Sequence, residues 1–530
     1  MKIIVCSNVY PPRFVGGAEL IAHQQAKALR DAGNEIIVFS GEIGGRLKRY
    51  ECVREKYDTL DVFRIGLSHE DYRPERVNFF HRRVEERFIA LLDGFSPDVV
   101  HMHNIVGLSA GLIGLSKRAG AKTVVTLHDY WGFCPRNTLL DNSGKICLDY
   151  DGCDKCAPGI RLDGGLWIPV RMRKDYIDLQ SKEVDLFISP SGYLANVYRN
   201  AGFPGERIAV IWNGVDVRRF ESIRRKRERN RLVRFSFIGH FGAHKGIRVL
   251  CDALALLGTR YRFRVNFVGT GEELHATRRR IVDLGLRKSV KFWGMVSRNR
   301  IKRVYRETDV LVLPSVCPEN HPGVITESMA SHIPVIATRA GGIPELVEEG
   351  RTGFLVEPGD ARQLARKMEF FISDPKSIRR FGDDAFKRIE HDTFETHAEK
   401  RLKLYRDTTV ISSTNTETRS IVACAGRGLA KIHTDALHLF MDLVPGNSCR
   451  FVLYDWLTPD RICEATVCWV LAETGFFEEA LYASEHGVLL LVPEKNTKLK
   501  SYCSLHRKGL YYGDPYEAAL CLKHLIMKED

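Results

Sequence analysis

The chain has 530 residues, of which 44% are hydrophobic and 27% charged, and it carries a formal net charge of +13. That length exceeds what one hydrophobic core serves and predicts about three units, while the composition excludes the disordered and fibrous classes. No apolar run approaches the roughly 18 residues needed to cross a bilayer, so any membrane contact is expected to be peripheral.

The positive balance admits nucleic acid, anionic lipid or a phosphorylated substrate as a partner. The basic residues are spread over 46–64, 82–87, 171–174, 218–234 and 298–306, with no zinc-finger, homeodomain or RRM pattern around them. Nucleic acid is therefore not expected. The amino-terminal MKIIVCSNVYPP has too short an apolar run for a signal-peptide core and reads as a first buried strand. With no export signal, the 14 cysteines point to a reducing compartment, and a cytoplasmic location is expected.

In chain order, KIIVCS is followed by the amphipathic AELIAHQQAKALRDAG, then EIIVFS, DVVHMH, KTVVTLH and DLFISPS. Strand-like runs alternating with helix-length stretches imply βαβ units and a parallel, doubly wound sheet. Gly16 and Gly17 open the first helix in PPRFVGGAEL, but the third glycine of a dinucleotide fingerprint is missing. His128 and Asp129 stand in TLHDYWGFCPR, with His128 at the end of a predicted strand.

Cys134, Cys147, Cys153 and Cys156 follow in a Gly- and Asp-rich loop without periodicity, the last two as Cys-x-x-Cys. Four thiolates in a short loop suit a structural zinc that orders a segment lacking its own core; free thiols or a redox bridge are the alternative. The charged ESIRRKRERNR reads as an interdomain linker.

Past it the alternation restarts with RFSFIGH, a helix over 245–257, RVNFVG, a helix over 272–284, VKFWG, DVLVLPS, PVIAT and FLVEP. Two such sheets leave a cleft between the carboxyl ends of their strands, where ligands bind in open α/β folds. FIGHFGAHKG contains Gly239, His240 and Lys245; no Ser or Thr follows its Gly-Lys elements, which excludes a P-loop. VGTGEE and FWGMV place Gly269 and Gly294 after strands. In PENHPGVITES, the N–H groups of Gly323, Val324 and Ile325 fall at a predicted helix start, favourable to phosphate or sugar oxygens. Beyond the polar ISSTNTETRS the tail has its own α/β rhythm: IVACAG, a helix over 436–443, RFVLYDWL, TVCWVLA, a helix over 476–485, GVLLLVPE, GLYYGD and a final helix to 526.

The segment PENHPGVITESMASHIPVIATRAGGIPELVEEGRTGFLVEPGD, with Glu319 and Glu327 separated by seven residues, resembles the donor-site signature of glycosyltransferase family 4 and related retaining GT-B enzymes. The resemblance covers about the first 410 residues. It implies an α/β GT-B fold: a Rossmann-like acceptor-side domain over 1–210, a Rossmann-like nucleotide-sugar domain over 211–388, and a crossover helix over 389–410. A small extra α/β domain of unassigned role would occupy 418–530.

The resemblance also implies roles. Lys245 would neutralise the donor diphosphate, Glu327 would accept from the ribose hydroxyls, and Glu319 would accept from the transferred sugar and balance oxocarbenium charge. His128 would hydrogen-bond the donor sugar. Asp129 would either orient that imidazole or face the acceptor. Gly16 and Gly17 would face donor phosphate and acceptor, and Gly269 and Gly294 would line the base pocket. His240 departs from the family, which usually has arginine there; imidazole cannot make the forked contact of guanidinium.

The implied activity is metal-independent, retaining sugar transfer from a nucleoside diphosphate sugar, UDP by family frequency, to a glycan or lipid-linked acceptor. The leaving phosphate oxygen would assist deprotonation of that acceptor. A catalytically silent GT-B binding subunit and a nucleotide-sugar epimerase of the same fold are the alternatives.

Overall fold

The computed structural model describes residues 1–410, except 14–15, 73–80, 106, 151–152, 158, 162–166, 169, 224–231 and 259, and beyond 410 only five strands. The first sheet contains β1 (Lys2–Val9), β2 (Glu35–Glu42), β3 (Cys52–Tyr57), β4 (Leu60–Gly66), β5 (Val99–Met102), β6 (Lys122–Thr126), β9 (Leu186–Ser189) and β10 (Ile208–Val210). Two short strands, β7 (Ile160–Arg161) and β8 (Trp167–Ile168), form a separate antiparallel ribbon.

The order across the sheet is β10-β9-β6-β5-β1-β2-β4-β3, and only β3 runs antiparallel. Ile3 to Cys6 are fully buried, as expected of a strand covered on both faces. From β1 the chain first builds toward β2 and later returns to add β5 on the other side, so the crevice of the sheet opens beyond Val9 and Met102.

The second sheet, β11 (Val233–Ile238), β12 (Phe263–Val268), β13 (Val290–Gly294), β14 (Val310–Leu313), β15 (Val335–Thr338) and β16 (Gly353–Val356), is wholly parallel in the order β13-β12-β11-β14-β15-β16. Its strand order reverses between β11 and β14, which sets its crevice beyond Ile238 and Leu313. Phe235, Phe237, Phe241, Phe263 and Phe267 fill one face against the helix Ile247–Leu257. The other face packs Leu311 and Leu313 on Ile325 and Met329 of the helix Gly323–Ala330.

The expected helix over 245–257 is interrupted at its start: a short 3-10 turn, Ala243–Lys245, precedes Gly246, and the α-helix begins at Ile247. Gly246 has φ +69°, and a Cβ there would lie 1.8 Å from the Pro314 carbonyl, so the backbone must turn where it crosses the end of β14. Asp216 caps the helix Val217–Glu221 through the Arg219 N–H, at the beginning of the expected linker, most of which lies outside the described residues.

The helix Phe394–Asp407 returns to the first sheet. Its Phe394, Ala398, Leu402 and Tyr405 share a core with Ile3, Val5 and Leu29. In the tail, β17 (Ser420–Ala425), β18 (Cys449–Tyr454), β19 (Val467–Val470), β20 (Leu489–Pro493) and β21 (Leu510–Tyr512) form a parallel sheet in the order β18-β17-β19-β20-β21. The helices expected over 436–443, over 476–485 and up to 526 lie outside the described residues. Among the described residues no helix is long and apolar enough to cross a membrane.

Candidate active site

The two crevices face one another across a cleft of about 560 Å³. Gly16, Gly17 and His128 line it from the first sheet; His240, Lys245, Glu319, Gly323, Val324 and Glu327 line it from the second. Both walls present a helix start. Gly16 caps the helix Gly17–Asp31, with its N–H donating to the Glu19 carboxylate at 3.1 Å, and Gly323 opens the opposing helix. Two helix N-termini, Lys245 and Arg298 bring positive charge into the cleft beside the carboxylates of Glu319 and Glu327.

Lys245 and Glu319 meet at the switch point of the second sheet, Nζ to Oε1 at 2.6 Å, and the same carboxylate oxygen accepts from Ser315 Oγ at 2.7 Å. Gly341, at φ +65°, presses its backbone against that of Glu319; a Cβ there would fall 2.3 Å from the Glu319 carbonyl oxygen. Glu327 accepts from the buried Tyr305 hydroxyl at 2.7 Å and lies 3.9 Å from Arg298 Nη1. Burial raises the pKa of Glu327 from its ordinary value, with Tyr305 and Arg298 opposing the rise.

His128 shares a 2.9 Å hydrogen bond between its Nε2 and His103 Nδ1, and burial, reinforced by the Arg401 charge, lowers its pKa to about 4. His103 in turn lies against His101, ring centroids 4.4 Å apart, and His101 Nδ1 is bonded to the Tyr405 hydroxyl at 2.7 Å. The returning helix thus reaches the floor of the cleft through three imidazoles. Contacts from wall to wall are made by Asn320, which donates to the His128 carbonyl at 2.9 Å, and by Glu345, whose carboxylate accepts from the N–H groups of Gly192 and Tyr193.

The remaining expected residues are placed differently. Among the described hydrogen bonds Asp129 makes none to the His128 imidazole, and it does not line the cleft: its carboxylate accepts from the Trp131 N–H at 2.8 Å and Asn104 Nδ2 at 3.2 Å, and burial raises its pKa to about 6. It acts on the chain turn after β6. Ile325 is also corrected, because its N–H closes the first helical turn on the Pro322 carbonyl at 3.0 Å and its side chain is fully buried.

Gly269 and Gly294 stand at adjacent strand ends, joined by the Gly269 N–H to the Gly294 carbonyl at 2.8 Å, and are not among the residues lining the cleft. His240 lines it but is half exposed and paired with Glu272 at 2.9 Å. The four loop cysteines lie apart from the cleft, unpaired, around a separate small cavity.

Sequence reasoning missed Tyr305, Arg298, Ser315, His103 and Arg401. Two of them left a signal: His103, as the second histidine of HMH at the end of β5, and Arg298, in the basic stretch 298–306.

Residues 15–219 match the family model for glycosyltransferase family 4, and residues 219–388 that for glycosyl transferases group 1. Over 240 residues the chain is 31% identical to the putative colanic acid biosynthesis glycosyltransferase WcaL of Escherichia coli, covering 41% of this chain and 58% of that protein. Its Salmonella typhimurium counterpart is 30% identical over 42% of this chain and 55% of its own length, so the chain spans little more than half of these relatives. Sulfoquinovosyl transferase SQD2 of Arabidopsis thaliana is 24% identical over 72% of this chain and 68% of that protein.

Among solved structures, sucrose-phosphate synthase from Thermosynechococcus elongatus is similar with a TM-score of 0.59 at 20% identity, covering 76% of this chain and 98% of that one. HepE of Anabaena, in complex with UDP and glucose, gives a TM-score of 0.55 at 20% identity, covering 77% and 100%. At that identity the likeness establishes the GT-B fold.

Proposed function

Since the chain belongs to the family 4 and group 1 glycosyltransferases, whose two models adjoin over residues 15–388, we propose that it transfers a sugar, with retention, from a nucleoside diphosphate sugar to a glycan or lipid-linked acceptor. The observation that carries this reading is the Lys245–Glu319 pair beneath the helix start at Gly323, facing Gly16, Gly17 and His128 across one cleft.

In the proposed reaction the bond between the anomeric carbon and the diphosphate oxygen breaks as the acceptor oxygen bonds to that carbon on the same face. The acceptor proton passes to the departing phosphate oxygen. Lys245 and the N–H groups of Gly323 and Val324 hold the charge that develops on the diphosphate, so no metal is required for the step. Glu319 balances the positive character of the sugar. His128, held neutral by burial, is suited to hydrogen-bond a sugar hydroxyl without adding charge. Asn320 and Glu345 join the two walls, and closure of the cleft on a bound donor would exclude water.

HepE crystallised with UDP makes UDP-sugars the first donors to test. The colanic acid and sulfoquinovosyl names of the relatives favour a saccharide or glycolipid acceptor, met in the cytoplasm or at the inner membrane face, where the net positive charge would favour peripheral contact with anionic lipid.

A second reading, a silent nucleotide-sugar binding subunit, is favoured by His240, which Glu272 engages on the wall where the family places arginine. A donor screen by thermal shift, followed by measurement of free nucleoside diphosphate with and without an acceptor mixture, separates the readings. Stabilisation together with acceptor-dependent release supports transfer. Stabilisation without release selects the binding subunit, and no stabilisation by any nucleotide sugar overturns both.

A further inference from the structure

The cysteine loop is not used by the proposed reaction. It leaves the first wall just after His128, at Cys134, runs out through a hairpin in which the Cys147 N–H returns to the Leu139 carbonyl at 2.9 Å, and comes back at the 3-10 turn Cys153–Lys155. That turn is closed by the Cys156 N–H on the Cys153 carbonyl at 3.0 Å. Three separate stretches of chain therefore bring four cysteine side chains, separated by up to 22 positions in sequence, to the walls of one cavity. Its free volume is about 20 Å³, which is room for one water-sized occupant. None of the four is in a disulfide.

A second, independent observation is Arg173. Its side chain is almost fully buried, its Nη2 donates to the Trp131 carbonyl at 2.6 Å, and its guanidinium lies over the Trp131 ring at 5.4 Å. Burial lowers its pKa to about 10, and Cys134, Cys153, Tyr198 and Asp129 oppose that shift; among the described ion pairs no carboxylate is bonded to it. A buried cation of this kind is costly unless a negative group accompanies it. Asp129 supplies part of that charge, and neutral thiols supply none. Four thiolates around a divalent cation carry a net charge of about −2 and would.

We propose that Cys134, Cys147, Cys153 and Cys156 bind one zinc ion as a structural tetrathiolate, with Arg173 as its buried counter-charge. Among the described residues no three such side chains are already drawn together in metal-holding geometry, so binding closes the thiols onto the ion to Zn–S distances of about 2.3 Å and releases their protons. The consequence is mechanical. Phe133, next to Cys134, packs edge-on to Tyr198 and Tyr150 with centroids 5.1 Å apart, and the Tyr198 hydroxyl bonds the Asp129 carbonyl. Fixing the loop thereby fixes the chain turn that follows His128.

The test is independent of sugar transfer. Full-length protein, made without a metal-affinity tag and without chelators, should contain about one zinc per chain by elemental analysis. Thiol titration with an organomercurial should release that zinc, and protein grown on cobalt should show thiolate-to-cobalt charge-transfer absorption. The double variant Cys153→Ser/Cys156→Ser should lose the metal. In case that variant does not fold, stripping zinc from the wild type should raise hydrogen exchange over 134–156 while the melting of the second sheet is retained. Metal-free protein, a disulfide between these cysteines, or zinc that persists in the double variant would overturn the proposal.

Discussion

Lys245 Nζ lies 2.6 Å from Glu319 Oε1, so the cation suited to a diphosphate and the carboxylate suited to a sugar are bonded to each other across 74 positions of sequence. An arriving diphosphate must share or take that ammonium. Glu319→Gln should therefore tighten binding of the free nucleoside diphosphate while lowering kcat, a split that a merely structural carboxylate would not give. Calorimetry and steady-state kinetics on the same preparation decide it; loss of both affinity and turnover would contradict the pairing argument.

Lys245→Ala should cost on the order of 2–4 kcal/mol of transition-state stabilisation, read as kcat/KM, if the ammonium supplies the main fixed charge on the leaving group. Because Ser315 still donates to Glu319, the carboxylate keeps a partner and the fold should persist. A change within twofold would remove Lys245 from the mechanism.

Glu327→Ala should act chiefly on donor KM, whereas Glu319→Ala should act more on kcat. Tyr305→Phe should reproduce a fraction of the Glu327 effect, about 1 kcal/mol, because it removes one hydrogen bond to that carboxylate and leaves Arg298 in place. Equal losses in affinity and turnover for both glutamate variants would refute the division of roles.

His240→Arg should tighten nucleoside diphosphate binding several-fold if residue 240 faces the phosphates. Glu272 engages His240 at present and would engage the arginine too, so the gain should grow when Glu272→Gln is added. Unchanged affinity in both the single and the double variant would show that this side chain serves only the surface ion pair.

Folding should be penalised by acid through the buried imidazoles. Burial lowers His128 and His321 to about 4, and His101 and His103 well below their ordinary value. Between about pH 4 and the unfolded value near 6.5 the unfolded chain binds more protons than the folded one. Their contribution is thus fully present above about 6.5 and is lost as pH falls toward 4, on the order of 3 kcal/mol each for His128 and His321. Thermal melts across this range should show falling Tm with decreasing pH, and imidazole resonances of His128 should report a neutral ring at about pH 6. A charged His128 ring there would overturn the assignment.

The sequence by itself determined the two parallel sheets, because strand and helix periodicities and the glycines between them are local properties read from neighbouring residues. It also determined the helix start at Gly323 and the spacing of Glu319 and Glu327, since both lie on one turn-and-helix segment. Tertiary structure alone decided which charges meet.

The Lys245–Glu319 bond depends on β11 and β14 being neighbours, and the His101–Tyr405 bond on a helix returning from 304 positions away. Asp129 read as a site residue because it follows His128, yet the turn after β6 carries its carboxylate inward to the Trp131 N–H and the Asn104 side-chain amide. Ile325 read as an N–H donor because it is near the helix start, yet one residue of further winding pairs that N–H within the helix. Burial, which moves the imidazoles and Glu327 from their ordinary titration range, is a property of the packed whole and has no counterpart in the linear chain.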